Sequence, residues 1–153
     1  MVQVDITWEY NNLSTPMELY ELKGRQYLWK TESVNSMALA PVGQKIVNST
    51  FVIEQGKVRR FALVMKNTTD KPIYFFAAPH SAKPAEHSLG FKFKCLCINH
   101  AYTINPGQVW YRVVELRISK GLTTKKLAIS HMLSGLNEKQ AQPFLMKKRA
   151  TDF

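Results

Sequence analysis

Two thiols one residue apart are the feature of this sequence most able to do chemistry. They sit in Phe91-Lys92-Phe93-Lys94-Cys95-Leu96-Cys97-Ile98. In an extended strand Cys95 and Cys97 project to the same face. Soft thiolates select copper(I) or zinc over hard cations; copper(I) accepts two or three soft ligands, whereas structural zinc takes four. A lone pair of thiols therefore suits copper(I). Lys92 and Lys94 lie close enough in sequence to favour the thiolate form electrostatically. The same parity also runs through Phe91 and Phe93, and cysteine packs well as a small hydrophobe, so a purely structural pair fits the spacing too.

Imidazole is the other donor to weigh. His100 follows Cys97 by three residues and is the candidate third copper ligand, although a solvated turn histidine fits that place equally. His80 and His87, in the loop Pro79 to Ser88, rank below it. His131 alternates with Leu127, Ile129 and Leu133, which reads as a core or interface histidine with its hydrogen bonds satisfied.

The elements that must position these groups read as strands. Val2, Val4, Ile6, Trp8 and Tyr10 share one parity from the start of the chain. Thr15-Pro16-Met17-Glu18 matches a capping box with proline at the first helical position, which predicts a short helix through Leu22. From Tyr27 to Asn48 periodicity lapses, so residues 11–48 are expected to form a long N-terminal excursion, with at most one short element after Tyr27. Strands are expected at Ser49–Glu54, Val58–Lys66, Pro72–Ala77, Leu89–Ile98, Gln108–Ile118 and Lys126–Leu133. Turn-forming residues separate them, among them Gln55-Gly56, Asn105-Pro106-Gly107 and Lys120-Gly121. The segment 137–153 reads as a basic tail that winds briefly at most, because Pro143 interrupts it. The expected fold is all-β, an antiparallel sandwich filling a single domain over 1–153 with short helical segments.

Composition narrows the function classes. The chain has 153 residues, 21 Lys and Arg against 11 Asp and Glu, and a formal net charge of +10. That charge favours an acidic partner, anionic lipid or nucleic acid. Without a helix-turn-helix or zinc-finger pattern to present it, nucleic acid is not expected as a partner. No run reaches the ~18 apolar residues of a membrane span, and the opening residues lack the form of a signal peptide. Two cysteines are too few for a disulfide framework. Nucleophile elbow, phosphate-binding glycine loop and His-Glu-x-x-His are all missing from the sequence, so an enzyme is not expected. Sequons at Asn12, Asn48 and Asn67 are short patterns of little weight.

Three segments together resemble the copper-delivering cytochrome c oxidase assembly factors of the CtaG family. They are Leu63-Val64-Met65-Lys66-Asn67-Thr68-Thr69-Asp70-Lys71-Pro72, then Phe93-Lys94-Cys95-Leu96-Cys97-Ile98, then Ile104-Asn105-Pro106-Gly107. That family has an Asn-x-Thr-Asp-Lys-Pro turn, a Cys-Phe-Cys-Phe motif and an Asn-Pro-Gly-Glu turn in the same order. The resemblance covers residues 58–133. Here Leu96 and Ile98 replace the two phenylalanines, Gln108 replaces the glutamate, and residues 11–48 have no counterpart. The family's membrane anchor, and the cysteine just beyond it, are also missing from this sequence.

The resemblance implies an immunoglobulin-like sandwich whose cysteines bind copper(I) and pass it to a client cuproprotein, in that family cytochrome c oxidase subunit I. It also implies a place on the periplasmic or intermembrane-space side of a membrane, and an anchor removed from this chain or dispensed with. Two thiols leave copper(I) under-coordinated, so a copper-dependent homodimer is expected. Two alternatives stand beside it. One is a cupredoxin-like electron carrier, for which Cys97 with His100 and His80 imitates part of the ligand set but the following methionine is absent. The other is a non-catalytic sandwich that serves only as an interaction module.

Overall fold

A computed structural model describes residues 1–83, 90–96 and 100–145. In chain order its strands are β1 (Val2–Asn11), β2 (Glu18–Leu22), β3 (Thr31–Val34), β4 (Val42–Lys45), β5 (Thr50–Ile53), β6 (Val58–Lys66), β7 (Ile73–Ala77), β8 (Ser81–Lys83), β9 (Phe91–Lys94), β10 (Tyr102–Ile104), β11 (Val109–Ile118) and β12 (Lys126–Leu136). One helix, α1 (Glu138–Leu145), follows.

The strands form two sheets, and the all-β sandwich expected from the strand pattern is observed. The first sheet runs β10-β7-β12-β1-β5, with β8 beside β7 along β12. The second runs β3-β11-β6-β2-β4, with β9 beside β3 along β11. The pairing of β1 with β12 is parallel and the rest are antiparallel. Inward-facing side chains of both sheets meet in one core, to which Val4, Phe61, Phe75, Trp110, Leu116 and Ile129 contribute. Alternation builds that core: β12 buries Leu127, Ile129, His131 and Leu133 while Lys126 and Met132 stay exposed.

Where the capping-box pattern at Thr15–Glu18 predicts a helix through Leu22, residues Glu18–Leu22 form a strand, β2. Met17 and Leu19 enter the main core, whereas Tyr20 joins a second apolar cluster on the outer face of the second sheet. Pairing of Glu18, Leu19 and Tyr20 with Val64, Leu63 and Ala62 lets the segment bury both faces, and that overrides a local helix signal. Residues 11–48 are likewise more than an excursion, since they supply β2, β3 and β4 to the second sheet. The turn at Met37–Leu39 and the start of β4 place Ala40, Val42 and Met37 over Ala62, Val64 and Tyr111, which closes one end of that sheet's outer face.

Two turns brace each other at one end of the sandwich. The buried Asn67 side chain donates to Lys71 O and Ile104 O, each at 2.8 Å, and accepts from Thr69 N at 3.0 Å and Thr69 Oγ1 at 2.6 Å. Its backbone carbonyl accepts from Gly107 N at 2.9 Å. Gly107 holds a φ of 77°, the left-handed region that glycine occupies without a Cβ penalty. At the other terminus, Asn137 and Gln140 exchange side-chain-to-backbone hydrogen bonds in a capping box. Phe144 of α1 stacks on Phe76, and these contacts hold the helix despite Pro143.

Candidate metal centre

Cys95 follows the last residue of β9, with its side chain turned into the sandwich and 6% of the residue exposed. Strand parity continues from Phe93, so the thiol points inward as that phenylalanine does. Its backbone carbonyl accepts a 2.6 Å hydrogen bond from Nε of Arg112, a buried guanidinium on β11. Arg112 also donates through Nη1 to Thr31 Oγ1 at 2.7 Å and, more weakly, to Trp29 O at 3.5 Å. The arginine thus ties the thiol-bearing segment to residues 29–31, part of the segment read as an excursion.

Two imidazoles reach the thiol from the other sheet. Sγ of Cys95 is 3.0 Å from Nε2 of His131 and 3.8 Å from Nδ1 of His80. The three ligand atoms all lie within 4.8 Å of one another. His131 comes from the inner face of β12, where it stands in register with Trp8 of β1 and stacks on that indole at 5.3 Å between centroids. His80 lies between β7 and β8 and packs against Phe91 and Phe93 of β9.

Burial, with repulsion from His80 as a lesser cause, pushes the His131 pKa down to about 4. Burial also lowers that of His80. Both rings are therefore neutral at pH 7 and carry a lone pair able to bind a metal. Nδ1 of His131 is buried with no hydrogen-bond partner among the described residues. One sulfur and two imidazole nitrogens, with no carboxylate in the group, form a soft-to-borderline donor set suited to copper or zinc.

Of the three residues expected as ligands from the sequence, Cys95 stands in this group. Cys97 lies outside the described residues, as does His87. His100 packs edge-on against Tyr102, with centroids 4.9 Å apart, and does not belong to the group formed around Cys95. The histidines brought to Cys95 are His131, expected to be a core residue, and His80, ranked low. His131 is indeed inward and buried, and its hydrogen-bonding partner is the thiol. The signal was its parity: an inward imidazole needs a polar partner across the core, and Cys95 shares the inward direction.

A family described as a domain of unknown function (DUF8709) matches residues 2–136. The chain belongs to this family. In this DUF8709 chain the matched span begins in β1 and ends with β12, so it takes in both sheets and all three members of the cluster. Helix α1 lies beyond it. Neither curated proteins nor solved structures yield a match to the chain. Among the described residues, no helix is long and apolar enough to cross a membrane.

Proposed function

We propose that this DUF8709 domain binds copper(I) and delivers it to a client cuproprotein. The observation that carries the reading is the convergence of Cys95 Sγ, His131 Nε2 and His80 Nδ1 within 4.8 Å. Both imidazoles are neutral without help from the metal, so only the thiol must lose its proton for copper(I) to bind. The 3.0 Å contact between Sγ and Nε2 is the one that an incoming ion would replace, with the thiol proton released to water. Cys97, one residue past Leu96, is the second thiol of this reading and the group from which the ion would pass to thiols of the client. The resemblance to CtaG-type assembly factors supports the same direction, with a respiratory oxidase as client, a location outside the cytoplasm and copper-promoted dimerisation as its corollaries.

A second reading is favoured by the ligand types themselves. One thiolate and two imidazoles are the equatorial set of a blue-copper electron carrier. Spectroscopy separates the two. The reduced full-length chain is titrated with copper(I) against a chromogenic copper(I) chelator, then oxidised. A chaperone takes up one copper(I), stays colourless, and forms no stable intense blue species. An electron carrier turns intensely blue and cycles reversibly. If wild-type and Cys95→Ser proteins take up copper(I) equally, the metal-site reading fails in both forms.

A further inference from the structure

We propose that the outer face of the second sheet, behind β9, is a docking surface for an acidic protein partner. The inference rests on the copper reading only in identifying that partner as the copper acceptor; the association itself needs no metal. Directly paired residues of neighbouring strands share a face, as do residues two apart on one strand. Lys94 of β9, Glu115 of β11 and Arg60 of β6 stand in one cross-strand row, and Lys92, Arg117 and Val58 stand in the next. All six therefore line the same outer face.

That face carries four cations around one carboxylate. Glu115 is 2% exposed and pairs with Arg60 at 3.0 Å, Arg117 at 3.0 Å and Lys94 at 4.0 Å. Lys92 is exposed beside them. The buried carboxylate fixes the positions of its neighbours yet cancels only one of their charges. Nη1 of Arg60 also donates to Gln26 O at 3.1 Å, which sets the loop bearing Tyr27 at the rim, and Tyr27 is 84% exposed. Arginine and tyrosine exposed together, with the exposed apolar Val58 beside Arg117 in the next row, are the side chains that carry protein–protein interfaces.

The rest of the surface differs. The other end of the same sheet face is closed by the cluster of Tyr20, Val42, Val64 and Tyr111. The outer face of the first sheet mixes charges, with Asp5 and Glu9 on β1 and Lys126 on β12. A phosphate backbone or single strand would call for an unbroken cationic groove with several stacking aromatics. Here a carboxylate stands at the centre, and the aromatics beside it among the described residues are the exposed Tyr27 and the half-buried Trp29, over whose ring Lys94 Nζ stands at 5.8 Å, which is short of a run of stacking platforms. Strand β9 itself turns Lys92 and Lys94 outward and leads into the inward Cys95, so a partner docked here lies one strand away from the thiol.

The test uses the metal-free, reduced, full-length chain and three probes: a fluorescent octaglutamate peptide, a 20-base-pair DNA duplex, and vesicles of phosphatidylcholine and phosphatidylserine. Lys92→Glu and the double change Lys92→Glu/Arg117→Glu are compared with Lys125→Glu/Lys126→Glu, an equal charge change at the start of β12. Lys92→Glu alone touches no ion pair of Glu115 and keeps the test valid if the double variant unfolds. The expected result is peptide binding that weakens about tenfold in the double variant, several-fold in Lys92→Glu, and less than about twofold in the control. Equal losses in patch and control variants would overturn the proposal, as would no peptide binding at low salt. Tighter binding of DNA or vesicles with the same sensitivity to Lys92→Glu would assign the face to that ligand and overturn the protein partner. A copper titration of Lys92→Glu that matches wild type shows that the metal reading stands or falls separately.

Discussion

The thiol of Cys95 and Nε2 of His131, 36 residues apart in sequence, meet at 3.0 Å across the two sheets. One side chain comes from the end of β9 in the second sheet and the other from the middle of β12 in the first. At that distance they form a hydrogen-bonded pair in the absence of metal, which bears directly on how substitutions should behave. In Cys95→Ser the hydroxyl inherits His131 as its partner, so the usual cost of burying an unsatisfied hydroxyl is largely avoided. The expected outcome is copper(I) uptake lost while urea unfolding stability falls by no more than about 1 kcal/mol. A loss of several kcal/mol would mark the thiol as mainly a packing element.

His131 sets a pH dependence in the metal-free protein. Its folded pKa of about 4 lies below the unfolded value near 6.5, so the unfolded chain binds more protons between those values. Stability is therefore full above pH 6.5 and declines as pH falls toward 4. Between pH 7 and pH 5 the loss should be about 2 kcal/mol in urea unfolding, with His80 adding in the same direction. His131→Leu should flatten the profile in this window. The carboxylates of Glu18 and Glu115 have lowered pKa values, because hydrogen bonds and charge from their basic neighbours outweigh burial, and they act below about pH 4.5.

Removing Arg112 should loosen the segment that carries Cys95. Its Nε holds Cys95 O and its Nη1 holds Thr31 Oγ1, both without much exposure to water. Arg112→Met leaves both acceptors without their donor and is expected to cost about 2–4 kcal/mol. Arg112→Lys keeps the charge but not the fork and should fall between the two. Amide NMR should show the largest shifts at Cys95 and Thr31 in both variants. Shifts confined to β11 would mean that the arginine does not connect these segments.

Asn67 offers a test of the paired turns. Its amide donates twice and its carbonyl oxygen accepts twice, all at 2.6–3.0 Å. Asn67→Ala should destabilise the protein by about 2–3 kcal/mol, and Asn67→Asp by a similar amount, because the carboxylate faces two carbonyl oxygens in place of two donors. Thermal unfolding of both variants beside wild type checks this. Stability unchanged in the aspartate form would show that the two donor bonds contribute little.

Much of the frame was legible locally. The alternation from Val2 to Tyr10, the inward direction of Phe93, Cys95 and His131, and the turn chemistry at Asn67 and Gly107 all follow from backbone geometry over a few residues. That is why the strands after residue 49 appear close to where they are expected, and why Cys95 is singled out. The short strands β8 and β10 escape notice because three residues carry too little periodicity. The long-range decisions belong to the tertiary structure. β2 is a strand because β6 offers it a ladder and two buried faces, whatever its capping-box residues prefer alone. His131 and His80, rather than His100, meet the thiol because the packing of one sheet on the other sets which inward side chains converge. Parity states which way a side chain points; only the register and stacking of both sheets state what it finds there.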